Sequence, residues 1–127
     1  FPHGYTYSGH PVACAAGMAT LDIYEQEALF DRPKQLQELW LDCALSLKGL
    51  EKVIDIRCFA LLAAVEMAPR TGEPMQRGTD AARYCYENGV WVRNIGDSLV
   101  LSPPLIISEE EITRIFNVIG SAIEQVS

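Results

Sequence analysis

Ser108-Glu109-Glu110-Glu111 is followed by Ile112, Ile115, Phe116, Ile119, Ile123 and Val126. The opening is a capping-box pattern, in which Ser and the Glu three residues on satisfy each other's backbone N–H groups. Behind it, the apolar residues recur at three- and four-residue steps, so one stripe of a C-terminal helix needs a second layer to cover it. A fold for this chain must therefore supply such a layer.

Candidates for that layer lie upstream. Val53 to Phe59 reads as a strand, and Leu61 to Met67 as another, apolar enough to be buried. The segment "VWVRNIGDSLVLS" (90–102) reads as two short strands about a turn at Asn94-Ile95-Gly96-Asp97. Strand alternation puts Arg93 on the face of Trp91, with Val90 and Val92 on the other.

Further helices surround these strands. Pro11 suits a first turn, and Val12 to Glu27 has no breaker except Gly17. The small residues Ala13, Ala15, Ala16, Gly17 and Ala19 let this helix approach another element closely. Asp31-Arg32-Pro33 opens a second helix, in which Leu36, Leu39, Trp40, Cys43, Ala44 and Leu47 recur and Gly49 is a stop. "APRTGEP" (68–74) is a loop. Thr79 is read as the cap of a helix running to Asn88, with Gly89 at C′. The expected fold is α+β: a small, mostly antiparallel sheet covered by helices, without internal repeat or linker.

The 127 residues suffice for one core, and the formal net charge of −7 offers no basic stripe for nucleic acid. The longest apolar run, Cys58 to Val65, is far too short to span a bilayer. No signal-peptide pattern is visible, and the first Met is Met18, so the chain is expected to be part of something longer. Cys14, Cys43, Cys58 and Cys85 show no metal-ligand spacing and lie in apolar patterns. They are read as buried free thiols in a reducing cytoplasm.

Groups with chemical potential are few. In Gly4-Tyr5-Thr6-Tyr7-Ser8-Gly9-His10-Pro11, hydroxyls and glycines precede a helix N-terminus. Two readings stand: an anion cradle of backbone N–H groups and helix dipole, or a capped helix start with exposed aromatics. Arg93, alone among apolar neighbours, suits a carboxylate held through two hydrogen bonds. Alternatively it is an edge-strand charge or the partner of Asp97. His3 and His10 form no triad with a Ser or Cys, and the capping box accounts for Glu109 to Glu111 better than a metal does. No catalytic residue and no metal ligand is assigned.

"HGYTYSGHPVACAAG" and "GVWVRNIGDSLVLSPPLIIS" resemble two separated segments of class III (fold type I) pyridoxal-phosphate-dependent aminotransferases. The first resembles the stretch after the catalytic lysine region, the second the C-terminal strand-turn-strand. The likeness is greatest to the omega-amino-acid:pyruvate type and extends over essentially the whole chain, including "VIDIR" (53–57). It implies that residues 1–10 are a cofactor-phosphate loop of the large domain and 11–127 the C-terminal small domain, whose leading helix joins the large domain. Thr6 matches the Thr that holds the cofactor phosphate of a neighbouring subunit, across a homodimer interface. Arg93 matches the Arg that receives a substrate carboxylate and moves aside for side chains that are not acidic.

The resemblance further implies transfer of an amino group from an amine or omega-amino acid to an oxoacid such as pyruvate, in the cytoplasm. The family's mechanism needs a Schiff-base lysine, and none of Lys34, Lys48 and Lys52 matches it. The chain alone is thus expected to be inactive and not to bind pyridoxal phosphate. Where the family commonly has glycines after Arg57, this chain has Ala60 and Ala63. Two other readings are compatible with the residues: a cofactor-free α+β binding or oligomerisation module, and a class III enzyme such as a racemase or decarboxylase.

Overall fold

The structure is a computed structural model and describes residues 4–126. His3 lies outside the described residues. In chain order it contains α1 (Pro11–Gln26), α2 (Arg32–Leu45), a 3₁₀ turn (Ser46–Gly49), β1 (Val53–Phe59) and β2 (Leu62–Met67). There follow α3 (Gln76–Glu87), β3 (Arg93–Ile95), β4 (Ser98–Leu101) and α4 (Glu109–Gln125). The fold is α+β, as the patterning predicts.

The four strands form one antiparallel sheet in the order β1-β2-β4-β3. Its inner face carries Ala63, Val65, Met67, Leu99 and Leu101, all buried in one cluster with residues of α2, α3 and α4. The stripe of α4 supplies Ile112, Phe116, Ile119 and Ile123 to that cluster, and Val126 closes it. Trp40 of α2 is fully buried, its ring 4.9 Å from Phe116 in an edge-to-face contact, and its Nε1 donates to the Leu62 carbonyl. Such a pair both fills volume and satisfies the indole N–H.

The outer face is open, so β2, read as apolar enough to be buried, is buried on one face only. Val65 and Met67 are buried, whereas Leu62 is exposed and Ala64 and Glu66 are half-buried. Helices cover only one side of the sheet. β2 also begins one residue later than its apolar run, because Ala60 and Leu61 form the turn from β1.

Two further expectations are revised, the cap at Thr79 and the burial of all four thiols. α3 begins at Gln76, and Thr79 lies inside it: its hydroxyl donates back to the Met75 carbonyl instead of capping the helix. No residue of α1 is buried, and Val12, Met18, Leu21 and Ile23 are all exposed. Burial begins at Leu29. Cys14 on α1 is accordingly exposed and Cys43 and Cys58 are half-buried, leaving Cys85 as the one buried thiol. None of the four is in a disulfide. Burial pushes the Cys85 thiol up to about 11.

Candidate functional site

Thr6 lies in the turn over residues 6–9, where Ser8 N–H donates to Tyr5 O and His10 N–H to Tyr7 O. Gly9 has φ +78°, a left-handed conformation that glycine adopts without strain. The turn delivers the chain to Pro11, the first residue of α1, and His10 offers no side-chain cap. The helix thus starts without a side-chain cap from His10, a few residues after the hydroxyl-bearing Thr6 and Ser8. Of the capped-start reading the side-chain cap is absent and the exposed aromatics are present, while the backbone N–H groups and hydroxyls here are of the kind an anion takes. Tyr5 and Tyr7 meet edge to face at 6.2 Å, and both are exposed.

Arg93 opens β3, an edge strand. Buried Val90 and Val92 alternate with exposed Trp91, Arg93 and Ile95, as the sequence predicts. The valines fix the strand to the core, and the guanidinium goes to the outer face. Arg93 pairs in register with Val100, Val100 with Ala64, and Ala64 with Arg57. Two arginines therefore end one cross-strand row, three strand spacings or about 14 Å apart.

Their surroundings differ. Arg57 donates to Asp55 and to Glu66, and these hydrogen bonds, Glu66's above all, hold it above the ordinary guanidinium value. Arg93 makes no hydrogen bond or ion pair among the described residues. Asp97, read from sequence as its possible partner, is engaged elsewhere: its carboxylate accepts from Met75 N–H and Gly78 N–H, each at 2.9 Å. The turn itself is Ile95-Gly96-Asp97-Ser98, one residue beyond the expected position, with Gly96 at φ +61°.

Arg93 and Trp91 line a cleft of about 840 Å³ that Pro103, Ile106, Glu111 and Arg114 also border. Thr6 is not among its lining residues. Glu111 is held by the capping box, its carboxylate accepting from Ser108 N–H at 2.9 Å. Among the described residues no group of three or more His, Cys, Asp or Glu side chains could hold a metal ion. Neither Lys34 nor Lys48 is buried, and half-buried Lys52 pairs with Glu51.

Sequence reasoning missed two residues that shape this site. Arg32, in the first turn of α2, donates through Nε to Leu105 O at 2.8 Å and through Nη2 to Ile107 O at 2.6 Å. It thereby pins the cleft-bordering 105–107 segment to the helix layer. A cation where the helix dipole disfavours it was the available signal. Gly78 is the other. A Cβ there would stand 2.1 Å from the Gly96 carbonyl oxygen, so glycine lets the β3–β4 turn seat on α3.

The family model for class-III aminotransferases matches residues 2–123. The chain belongs to this family. It is 42% identical to an omega-aminotransferase of Caulobacter vibrioides over 98% of this chain and 28% of that protein. It is 39% identical to a beta-alanine–pyruvate aminotransferase of Pseudomonas aeruginosa over 100% of this chain and 28% of that protein. Among solved structures, a thermostable omega transaminase 6-fold mutant from Pseudomonas jessenii superposes with a TM-score of 0.90 at 31% identity. That match covers 100% of this chain and 30% of the other. An amine transaminase from an uncultivated Pseudomonas species, in its PLP-bound form, gives 0.86 at 32% identity, over 98% and 30%. The chain spans somewhat over a quarter of the length of the curated relatives it matches.

Proposed function

We propose that the chain is the C-terminal portion of a pyridoxal-phosphate-dependent transaminase. Its reaction is transfer of an amino group from an amine or omega-amino acid to an oxoacid such as pyruvate. The carrying observation is Arg93: an exposed guanidinium on a cleft wall, without an anionic partner among the described residues, while Asp97 is committed to α3. A free guanidinium fork is suited to a carboxylate, which both an oxoacid and an amino acid carry. Relatives named for beta-alanine, omega-amino acids and pyruvate support the same substrate classes.

Pyridoxal phosphate supplies the electron sink for proton transfer at the amino-bearing carbon. In this chain, Thr6 and the uncapped start of α1 would hold its phosphate, on the resemblance from the partner subunit of a homodimer. In this reading residues 1–10 belong to the large domain and residues 11–127 form the small domain. The exposed apolar side chains of α1 are in keeping with a helix that joins the large domain. Arg93 would orient the substrate by its carboxylate. The Schiff-base lysine belongs to the remaining length of the enzyme, so the 127 residues alone would not catalyse. A cytoplasmic setting is in keeping with four cysteines that offer no disulfide framework.

The test is Arg93→Ala in the full-length enzyme. A lost bidentate contact of about 1.5–3 kcal/mol corresponds to roughly a ten- to hundredfold drop in kcat/KM for amino acids and oxoacids. The half-reaction of a simple amine should be nearly unchanged. Equal losses for both substrate classes would reduce Arg93 to a role in folding.

A further inference from the structure

Resting on the assignment of Arg93 above, the cleft raises a second question. A transaminase that takes both amines and oxoacids must empty its carboxylate subsite in one half of the cycle. The guanidinium then loses that counter-charge, Glu111 on the same cleft being held by Ser108 N–H, and a cation without a partner is costly wherever water is excluded. A carboxylate side chain nearby would solve this only by competing with the substrate in the other half-reaction. What the site needs is a weak, neutral partner.

We propose that Trp91 is the positioning residue that receives the Arg93 side chain when the substrate has no carboxylate. Trp91 is 89% exposed, more than any other large apolar side chain described. Nothing among the described residues covers it. Val90 and Val92, both 7% exposed, anchor the strand on either side, so Trp91 and Arg93 project to the same outer face two residues apart. Their Cα atoms are then about 7 Å apart, within the span an arginine side chain covers. Both line the same cleft. The indole face attracts a guanidinium through its quadrupole, strongly enough to lower the cost of the empty subsite. The attraction is also weak enough for a bidentate carboxylate to reclaim the cation. Trp91 therefore tunes the preference between amines and carboxylate-bearing substrates without touching the reacting atoms.

The experiment uses the full-length holoenzyme with 1-phenylethylamine as the carboxylate-free donor and L-alanine as the carboxylate-bearing one. Trp91→Ala should lower kcat/KM for 1-phenylethylamine roughly three- to thirtyfold and change that for L-alanine by less than about twofold. Trp91→Phe, which keeps an aromatic face, should recover most of the loss, whereas Trp91→Leu should not. Recovery by Leu equal to that by Phe would mean that apolar bulk is what matters, and overturns the proposal. In an Arg93→Ala background the Trp91→Ala change should have no further effect on the amine. A loss that persists there would assign Trp91 to direct contact with the substrate, again overturning it. A crystal structure with the amine bound should have the guanidinium within about 6 Å of the Trp91 ring centroid; a guanidinium directed elsewhere counts against the assignment. If Arg93→Ala alone leaves L-alanine turnover intact, the carboxylate reading of Arg93 fails and takes this proposal with it. A failure confined to the Trp91 variants overturns this proposal alone.

Discussion

Asp97 grips the start of α3 at two points, accepting from Gly78 N–H with one carboxylate oxygen and from Met75 N–H with the other, both at 2.9 Å. Met75 is the N-cap residue of α3 and Gly78 is in its first turn, so a side chain from the β-hairpin does the work of a local cap. Met75 itself has φ +69° and offers no side-chain hydrogen bond to the helix. The contact locks the β3–β4 turn, two residues beyond Arg93, onto the helix layer. It also commits the Asp97 carboxylate to α3.

Both ends of that lock can be broken. At Gly78, alanine would bring Cβ to 2.1 Å from the Gly96 oxygen and 2.8 Å from the Asp97 Cα, so backbone must move. Gly78→Ala should cost about 1–3 kcal/mol, read as a lower Tm of the full-length protein. Asp97→Ala removes the cap without adding bulk and should cost about 1–2 kcal/mol. Asp97→Asn, which can still accept one of the two bonds, should fall between. A Gly78→Ala protein as stable as the parent would mean that the hairpin does not seat on α3 as described.

Ala60 and Ala63, where the resemblance implies glycines, should respond to glycine in opposite ways. Ala60 sits in the β1–β2 turn at φ +51°, a left-handed conformation that costs a residue with a Cβ about 1–2 kcal/mol. Ala60→Gly should stabilise the protein by about 0.5–1 kcal/mol, the strain relief being partly offset by the entropy of the unfolded chain. Ala63 is different: it is 4% exposed on the inner face of β2, paired with Cys58 and Leu101. Ala63→Gly gives up a buried methyl group and gains only chain entropy, so it should destabilise by about 1–2 kcal/mol. Opposite signs for the two variants in parallel thermal melts are the expected result.

How much of this was legible in the sequence depends on what sets each feature. The α4 stripe and its capping box are local, with partner residues three or four positions apart, and both appear where the pattern puts them. The alternation from Val90 to Ile95 is equally local, and so the outward direction of Arg93 follows from the pattern alone. Features set by distant partners were not legible. Thr79 looked like a cap because nothing nearby revealed that Asp97, 19 residues after Gly78, satisfies that helix start. The reach of Arg32 to Leu105 and Ile107 spans more than 70 residues. The exposure of the outer sheet face is invisible to hydropathy, whereas the small residues of α1 already point to a partner outside it. An apolar residue covered by the rest of a longer enzyme has the same pattern as one covered within the chain.

Acid should loosen the anchor at the start of α3's outer face. Asp80 accepts from Arg70 at 2.6 Å, from Gln76 at 3.0 Å and from Arg83 at 2.6 Å. The Arg70 bond first, and then the Gln76 bond, hold its carboxyl below the usual carboxylate value. A depressed folded value means that the contribution is fully present above the unfolded value and lost as pH falls through the folded one. Asp80→Asn should therefore lower Tm at neutral pH and flatten its decline in acid, with the two proteins converging at the lowest pH. Parallel curves displaced by a constant amount would show that the charge of Asp80 contributes nothing.

The last expectation concerns which active site Thr6 serves. Its turn is exposed, and α1 behind it buries no residue against the rest of this chain. The resemblance assigns Thr6 to the cofactor phosphate of the neighbouring subunit, and a hydrogen bond to such a charged group is worth about 1.5–3 kcal/mol. Thr6→Ala should therefore weaken cofactor retention roughly ten- to hundredfold in the full-length enzyme, and Thr6→Ser should retain most of it. Mixed dimers then decide the geometry. One subunit carries Thr6→Ala, and the other lacks only the Schiff-base lysine. If Thr6 acts across the interface, the subunit with the intact lysine receives an intact Thr6 from its partner. That site should hold the cofactor with parental affinity and recover activity. If Thr6 acts within its own subunit, the lysine-bearing site is the one that has lost the threonine hydroxyl, and the mixed dimer stays as weak as the Thr6→Ala homodimer. Cofactor dissociation measured on the purified mixed dimer separates the two outcomes without relying on turnover.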